Sequence, residues 1–196
     1  MDLPQATSAE RILITALDLF AVKGYDATAV REICEAAGIT KPTLYHFYGS
    51  KDGVFQALVR TGFLQYRAMV DEALAMPGSF RHRVKVLARS IFESASTQPR
   101  FWRFMHGVFW APPGTALSRT ESCTQFYDAV VDALAVAADQ AVAEGDLAPG
   151  PTDARMLILM GAISEAATGY VIAGKPELTP ELADQLVDVI FDGWTV

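Results

Sequence analysis

The stretch GITKPTLYHFYGSKDGVF, residues 38–55, sets a glycine and a threonine two residues apart, followed by a cluster of hydroxyl, phenol and imidazole groups. Gly38 reads as the stop of one helix, because glycine tolerates the backbone found at helix ends. Thr40 reads as the N-cap of the next, its hydroxyl placed to accept from an unpaired first-turn amide. Pro42 falls in the first turn, where its missing amide has no intrahelical acceptor to lose. The expected helix carries Lys41, Thr43, Tyr45 and His46 as polar groups close to its N-terminus, with Leu44 and Phe47 left apolar for packing. Two short helices joined around a glycine form a helix-turn-helix pattern.

Working outward, apolar residues recur at helical spacing and strand-type alternation is absent, so the chain is read as all-α with about nine helices. A first helix is expected from about Thr7 to Lys23, with Leu13, Ala16, Leu17, Phe20 and Ala21 along one stripe and Gly24 as its stop. Thr28 is expected to cap a short second helix whose inner face is Val30, Ile33, Cys34 and Ala37. Ser50 can cap a longer fourth helix reaching about Met76. Further helices are expected at about 79–97, 100–110, 116–144, 152–173 and 180–193, between the breaks TQPR, APPGT, EGDLAPGP and GKPELTP. The division expected is a three-helix helix-turn-helix domain at 1–50 and a larger helical domain at 51–196.

A segment that binds nucleic acid usually sits on a basic surface, yet the 196 residues carry a net charge of −7. The charge is unevenly placed: residues 1–60 sum to −1, 61–110 to +4, and 111–196 to −10. The acidity therefore belongs to the C-terminal half and does not argue against DNA contact by the first sixty residues. Polar groups gathered at a helix N-terminus, with the helix dipole behind them, suit phosphate and base-edge contact in a major groove. Lys51 adds a cation beside further unpaired amides.

Residues Arg11 to Leu58 resemble the N-terminal domain of the TetR family of bacterial transcriptional regulators. The matching positions are Ile12, Leu13, Leu19, Phe20, Gly24, Tyr25, Thr28, Ile33, Ala37, Gly38, Thr43, Leu44, Tyr45, Lys51 and Phe55. The resemblance implies three helices that bind DNA and a fourth that joins them to a ligand-binding, dimerising core. It assigns DNA contact to Thr43, Tyr45 and His46 on the recognition helix, with Thr28 and Lys51 on the backbone; Thr40 and Lys41 join them as polar groups of the same helix start. Tyr48 stands where phenylalanine is usual, Thr15 where alanine is usual, and Gly53 where a glutamate would often complete a capping box with Ser50. Weakening of the fourth helix start is expected from that missing glutamate.

Beyond about residue 60 the reading rests on physical chemistry. PRFWRFMHGVFWAPP, residues 99–113, is richer in aromatics than one core-facing stripe needs. It is read as a wall of a site for an apolar or aromatic ligand, formed by Phe92, Trp102, Met105, His106, Phe109, Trp110, Phe126, Tyr127 and Tyr170, with His106, Glu93, Tyr127 and Tyr170 as the polar groups that would orient it. Plain core packing is the competing reading. In the late helices, Leu157, Gly161, Ile163, Ala166, Tyr170, Leu186, Val189 and Ile190 are expected to meet their copies in a four-helix dimer interface, as the family uses.

Cys34 and Cys123 show neither a disulfide framework nor a zinc pattern, and His46, His82 and His106 are scattered, so no metal or cofactor is expected. No GxSxG, GxGxxG, Walker loop or HExxH is present, and an enzyme is not expected. A start without a basic apolar leader, and no uninterrupted apolar run of about 18–20 residues, lead to the expectation of a cytoplasmic protein with no membrane partner. The expected partners are an operator of double-stranded DNA, a small-molecule effector and a second copy of the chain. The alternative is a DNA-binding regulator or structural protein without an effector.

Overall fold

The computed structural model describes residues 6–111 and 121–193, and the side chains of 121–127 lie outside the description. Among the described residues every regular element is a helix. In chain order these are α1 (Ser8–Lys23), α2 (Val30–Ala37), α3 (Lys41–Tyr48), α4 (Lys51–Ala75), α5 (Phe80–Thr97), α6 (Pro99–Phe109), α7 (Glu121–Ala143), α8 (Thr152–Ala173) and α9 (Pro180–Asp192). The caps explain the boundaries. Thr7 accepts from the Glu10 amide while Glu10 returns a bond to the Thr7 amide, a full capping box. Thr40, Ser79 and Thr179 each accept from the amide three residues on. Gly38 closes α2 in the left-handed conformation, φ 63°, a region that penalises side chains with a Cβ.

Two local expectations are corrected. Ala29, not Thr28, is the N-cap of α2, and the Ala29 amide donates to Glu32. Thr28 is 1% exposed, and its hydroxyl donates back to the Gly24 carbonyl at 2.8 Å. Gly53 is not a missing glutamate. Its amide donates to Ser50 Oγ at 3.0 Å, and a Cβ there would stand 1.8 Å from the Tyr48 carbonyl oxygen, so the tight passage from α3 into α4 excludes a side chain.

The chain divides into two compact units, which differ from the expected division at residue 50: Met1–Gly62 with Arg103–Thr120, and Phe63–Trp102 with Glu121–Val196. The core of the first unit includes Ile12, Ala16, Ile33, Leu44, Val54 and Phe55, all fully buried. An aromatic group stiffens it: the rings of Phe20, Tyr25 and Phe104 surround Phe55 with centroids 6.2, 5.0 and 5.5 Å away. Edge-on and tilted pairs at such distances add to simple burial. Phe104, from the aromatic run of residues 99–113, is thus core of this unit.

The second unit packs α5 between α8 and α9, with Val84, Leu87, Ile91 and Phe92 on its buried stripe. By length and composition α8 could cross a membrane, a test that core helices of soluble proteins also pass, and Met156, Leu159, Ile163, Ala167 and Val171 are buried along one side of it. Charge fixes the register of α5 against α9. Arg81, Lys85 and Arg89 recur every four residues, as do Asp184, Asp188 and Asp192. Arg81 meets Asp188 at 2.6 Å and Asp192 at 2.8 Å, Lys85 meets Asp188 at 2.6 Å, and Arg89 pairs with Asp184. The order of the pairs makes the helices antiparallel. Three cations of the basic middle segment are therefore neutralised within the unit.

Asp184 is held below the ordinary aspartate value of 3.8 chiefly by the Arg89 hydrogen bond, and Asp188 chiefly by Lys85 and then Arg81. A carboxylate with a depressed folded pKa stabilises the fold fully above its unfolded pKa, and that contribution vanishes as pH falls through the folded pKa. The ladder's share of stability is expected to persist down to about pH 5 and to disappear progressively below 3.8. Urea unfolding across that window checks it. Asp184→Asn/Asp188→Asn should show a smaller acid-induced drop than the parent chain, and equal drops would show that the ladder contributes nothing.

Candidate functional site

Within the first unit α3 stands clear of the core. Leu44 is its one fully buried side chain, and the rest of the helix is half-buried or exposed. Lys41, Tyr45 and His46 are exposed, and Thr43 is half-buried. Thr40 Oγ1 accepts from the Thr43 amide at 3.4 Å, and the two threonine hydroxyls lie 2.9 Å apart. The structure thus brings Thr40, Lys41, Thr43, Tyr45 and His46 together on one short helix and its cap. Such a surface can offer hydrogen bonds from imidazole, phenol, hydroxyl and ammonium groups to a groove or a phosphate strand. Lys41 has no ion-pair partner among the described residues, whereas Arg31 lies 3.6 Å from Glu35 and Lys23 pairs with Glu32.

Three residues fix how α3 is held. The Tyr48 hydroxyl donates to the Ala9 carbonyl at 3.0 Å, tying the end of α3 to α1, and burial pushes its pKa up, so the donor proton stays in place. The Lys51 ammonium donates to the carbonyls of Tyr25 at 2.8 Å and Thr28 at 2.9 Å, and lies 4.2 Å from the centre of the Tyr25 ring. Its partners are 26 and 23 residues away in sequence, a distance at which spacing carries no signal. The polar ends of Thr28 and Lys51 are therefore engaged inside the unit, positioning the α1–α2 turn. Sequence reasoning also misplaced Phe47. Expected to pack inward, it is 46% exposed, much as Tyr45 is at 47%.

Residues 12–58, which span these three helices and the start of α4, match the family model described as "Bacterial regulatory proteins, tetR family". Over this segment the chain is similar to the TetR family. Among its relatives are the HTH-type transcriptional activator FasR of Mycolicibacterium smegmatis, 28% identical over 134 residues, covering 66% of this chain and 60% of FasR. The HTH-type transcriptional repressor KstR2 of Rhodococcus jostii is 41% identical over 68 residues, 32% of this chain and 33% of KstR2. The chain thus spans a third to three-fifths of the length of these curated relatives. Solved structures extend the likeness of fold across nearly the whole chain. The fatty acid degradation regulator FadR from Bacillus halodurans superposes with a TM-score of 0.81 at 16% identity, covering 97% of this chain and 98% of that one. FadR from Bacillus subtilis in complex with stearoyl-CoA gives 0.79 at 16%, covering 93% and 97%.

In the second unit, α4 and α5 border an open groove of about 450 Å³. Gln65, Met69 and Glu72 line one side, and Ser90, Glu93 and Ser94 the other. Of the described residues expected to bind a ligand, only Glu93 lines it. Phe92 is core at 1% exposure, and Tyr170 is half-buried against the same core. Of the others, Trp102 comes nearest, its indole nitrogen donating to Ser94 Oγ at 3.0 Å. Met105 is buried and His106 half-buried in the other unit, where Phe109 and Trp110 are 45% and 77% exposed. The aromatic helix therefore splits between the two units rather than forming one wall. The side chains of Phe126 and Tyr127 lie outside the described residues, as does that of Cys123. Cys34 is buried, and burial raises its thiol pKa, which keeps it protonated.

The residues expected at a dimer interface also divide. Ile163 is fully buried inside the unit, because it falls on the inner stripe of α8, and this corrects its assignment. Ala166, Tyr170, Leu186 and Ile190 are half-buried against the same core. Leu157, Gly161 and Val189 are exposed, and Ile158 and Ile172 extend the outer face of α8, at 66% for Leu157, 56% for Ile158, 60% for Ile172 and 74% for Val189.

Lys41 and Lys51 are expected to separate cleanly in experiment. Lys51→Met should lower unfolding free energy by roughly 1.5–3 kcal/mol, the range for hydrogen bonds to a charged group, and leave the salt slope of DNA binding unchanged. Lys41→Met should leave stability alone and reduce that slope by about 0.9. Urea unfolding and fluorescence anisotropy across a salt series measure both, and the opposite pattern would return Lys51 to the DNA backbone.

Proposed function

We propose that this chain is a homodimeric, cytoplasmic transcriptional repressor that binds a palindromic operator through α3 and is released by a small, largely hydrophobic or aromatic effector. The observation that carries the DNA-binding reading is α3 itself: a helix held by one buried leucine, presenting Thr40, Lys41, Thr43, Tyr45 and His46 outward. The family of the domain and the regulator names of its relatives support it. The acidity of the chain is no obstacle, because it lies in the C-terminal half, where aspartates of α9 engage Arg81, Lys85 and Arg89 of the basic middle segment. Affinity then comes from groove contacts with few phosphate pairs, so nonspecific binding should be weak.

The exposed apolar residues on α8 and α9 support association with a second copy. Isolated apolar side chains on a surface need no explanation, but Leu157, Ile158 and Ile172 follow one face of one helix, with the small Gly161 between them to allow close approach. A two-fold axis there implies two half-sites in the operator. The effector reading rests on α4. This helix runs from Lys51, which holds the α1–α2 turn, to the groove residues Gln65, Met69 and Glu72. A ligand that shifts α4 would act on α3 through the same helix, and coupling of about 1–3 kcal/mol makes a useful switch.

The groove walls carry Glu72 and Glu93 and no lysine or arginine. The phosphates of an acyl-CoA, the ligand class of the Bacillus subtilis FadR complex, would find no cation there. A neutral or cationic apolar compound suits these walls better. Thermal-shift screening is expected to find stabilising neutral or cationic aromatic amphiphiles and no shift with acyl-CoA, and a shift with acyl-CoA alone would reverse the assignment. Absence of any stabilising compound would favour a regulator without an effector.

The recognition surface has its own test. Tyr45→Ala/His46→Ala should keep the fold and the dimer, since both side chains are exposed, yet lose operator affinity by roughly 100-fold, from two contacts of about 1–3 kcal/mol each. Mobility-shift titration beside sedimentation velocity reads both properties, and full retention of binding would remove α3 from the interface.

A further inference from the structure

Phe47 has no evident work inside the fold. It is 46% exposed on a helix whose neighbouring exposed positions carry hydrogen-bonding groups. It follows Thr43 by four residues, so the two share one side of α3, one turn apart. Its surroundings hold the ring in place. The His46 ring stands edge-on to it with centroids 5.2 Å apart and planes at 71°, and the Tyr48 ring is tilted at 48° with its centroid 6.4 Å away. Tyr48 is itself fixed by its bond to the Ala9 carbonyl. A braced, solvated phenyl ring beside Thr43 and His46 is a preorganised apolar contact on the surface read here as facing the major groove.

We infer that Phe47 is a specificity-determining residue that reads thymine through its 5-methyl group. A phenyl ring has no donor or acceptor, so it gains nothing from phosphate oxygens or polar base edges. The thymine methyl is the apolar group that an unmodified base pair offers in the major groove, and phenylalanine is among the side chains able to pack on it. Against a cytosine amino group or a guanine carbonyl the same ring would remove water without replacing its hydrogen bonds. Phe47 therefore selects a thymine in each half-site where the polar residues of α3 specify its neighbours. 5-Methylcytosine, which carries the same methyl group, should be accepted in its place better than cytosine.

This inference rests on α3 being the recognition helix, and the experiment separates the two. Duplexes are selected from a random pool by the full chain, and each thymine of the selected duplex is then replaced in turn by deoxyuridine, which lacks only the methyl. The parent chain should lose roughly three- to tenfold in affinity at one thymine per half-site. Phe47→Ala should bind the thymine and deoxyuridine duplexes equally, and Phe47→Leu should keep part of the preference. Thermal unfolding should show both variants folded, as expected for a half-exposed position. If no duplex is enriched, the recognition-helix reading fails and this inference with it. If duplexes are enriched but deoxyuridine costs nothing at any position, or Phe47→Ala keeps the full deoxyuridine penalty, the recognition helix stands and the role of Phe47 is refuted.

Discussion

The Lys51 ammonium, set under the carbonyls of Tyr25 and Thr28 and against the Tyr25 ring, is the constraint on which the reading head depends. Those carbonyls belong to the turn between α1 and α2, where the Tyr25 carbonyl also accepts from the Thr28 amide at 3.2 Å. By meeting two of them at once, Lys51 joins the start of α4 to that turn. The segment between, α2 and α3, is then closed into a loop of fixed geometry. Tyr48 adds a second tie, from the end of α3 to the Ala9 carbonyl. Gly53 permits the closure, since the Tyr48 carbonyl occupies the space that any Cβ would need. With its ends held this way, α3 needs only Leu44 as a core anchor and can leave its remaining faces to a partner.

The same economy of charge runs through the second unit. Seven lysines and arginines between residues 61 and 110 form the most basic part of the chain. In the folded protein three of them, Arg81, Lys85 and Arg89, form a ladder with aspartates of α9. These pairs are partly exposed, and each is worth little in isolation. As a set spaced every four residues, they disfavour sliding of α9 along α5 by a turn, because a shifted register would leave charges at each end unmatched. A chain of net charge −7 can thus carry a DNA-binding domain without a strongly basic surface, its cations being distributed by internal need.

Local signals were legible where the physics is local. Thr7, Thr40, Ser79 and Thr179 cap helices that start at the next residue, because a cap hydroxyl acts on an amide three residues away and needs no tertiary partner. Thr28 misled for the same reason in reverse. It has the chemistry of a cap, but its hydroxyl found the Gly24 carbonyl four residues back, and Glu32 took over the Ala29 amide. The aromatic run of 99–113 showed the limit of composition. Its rings are real hydrophobic mass, yet Phe104 serves the core of the first unit, Trp102 reaches Ser94 in the second, and Trp110 is left largely exposed.

By itself the sequence determined the all-α class, the order and approximate ends of the helices, and the polar set Thr40, Lys41, Thr43, Tyr45 and His46 at the start of one short helix. Each depends on periodicity or capping within a few residues. Only the tertiary structure decided that Lys51 faces inward, that Phe47 faces outward and that Ile163 is core rather than interface. Those outcomes depend on which side of a helix a distant element covers. The opening segment carried the chemistry of recognition in its letters, while the partners that aim it lie in α1 and in the turn between α1 and α2.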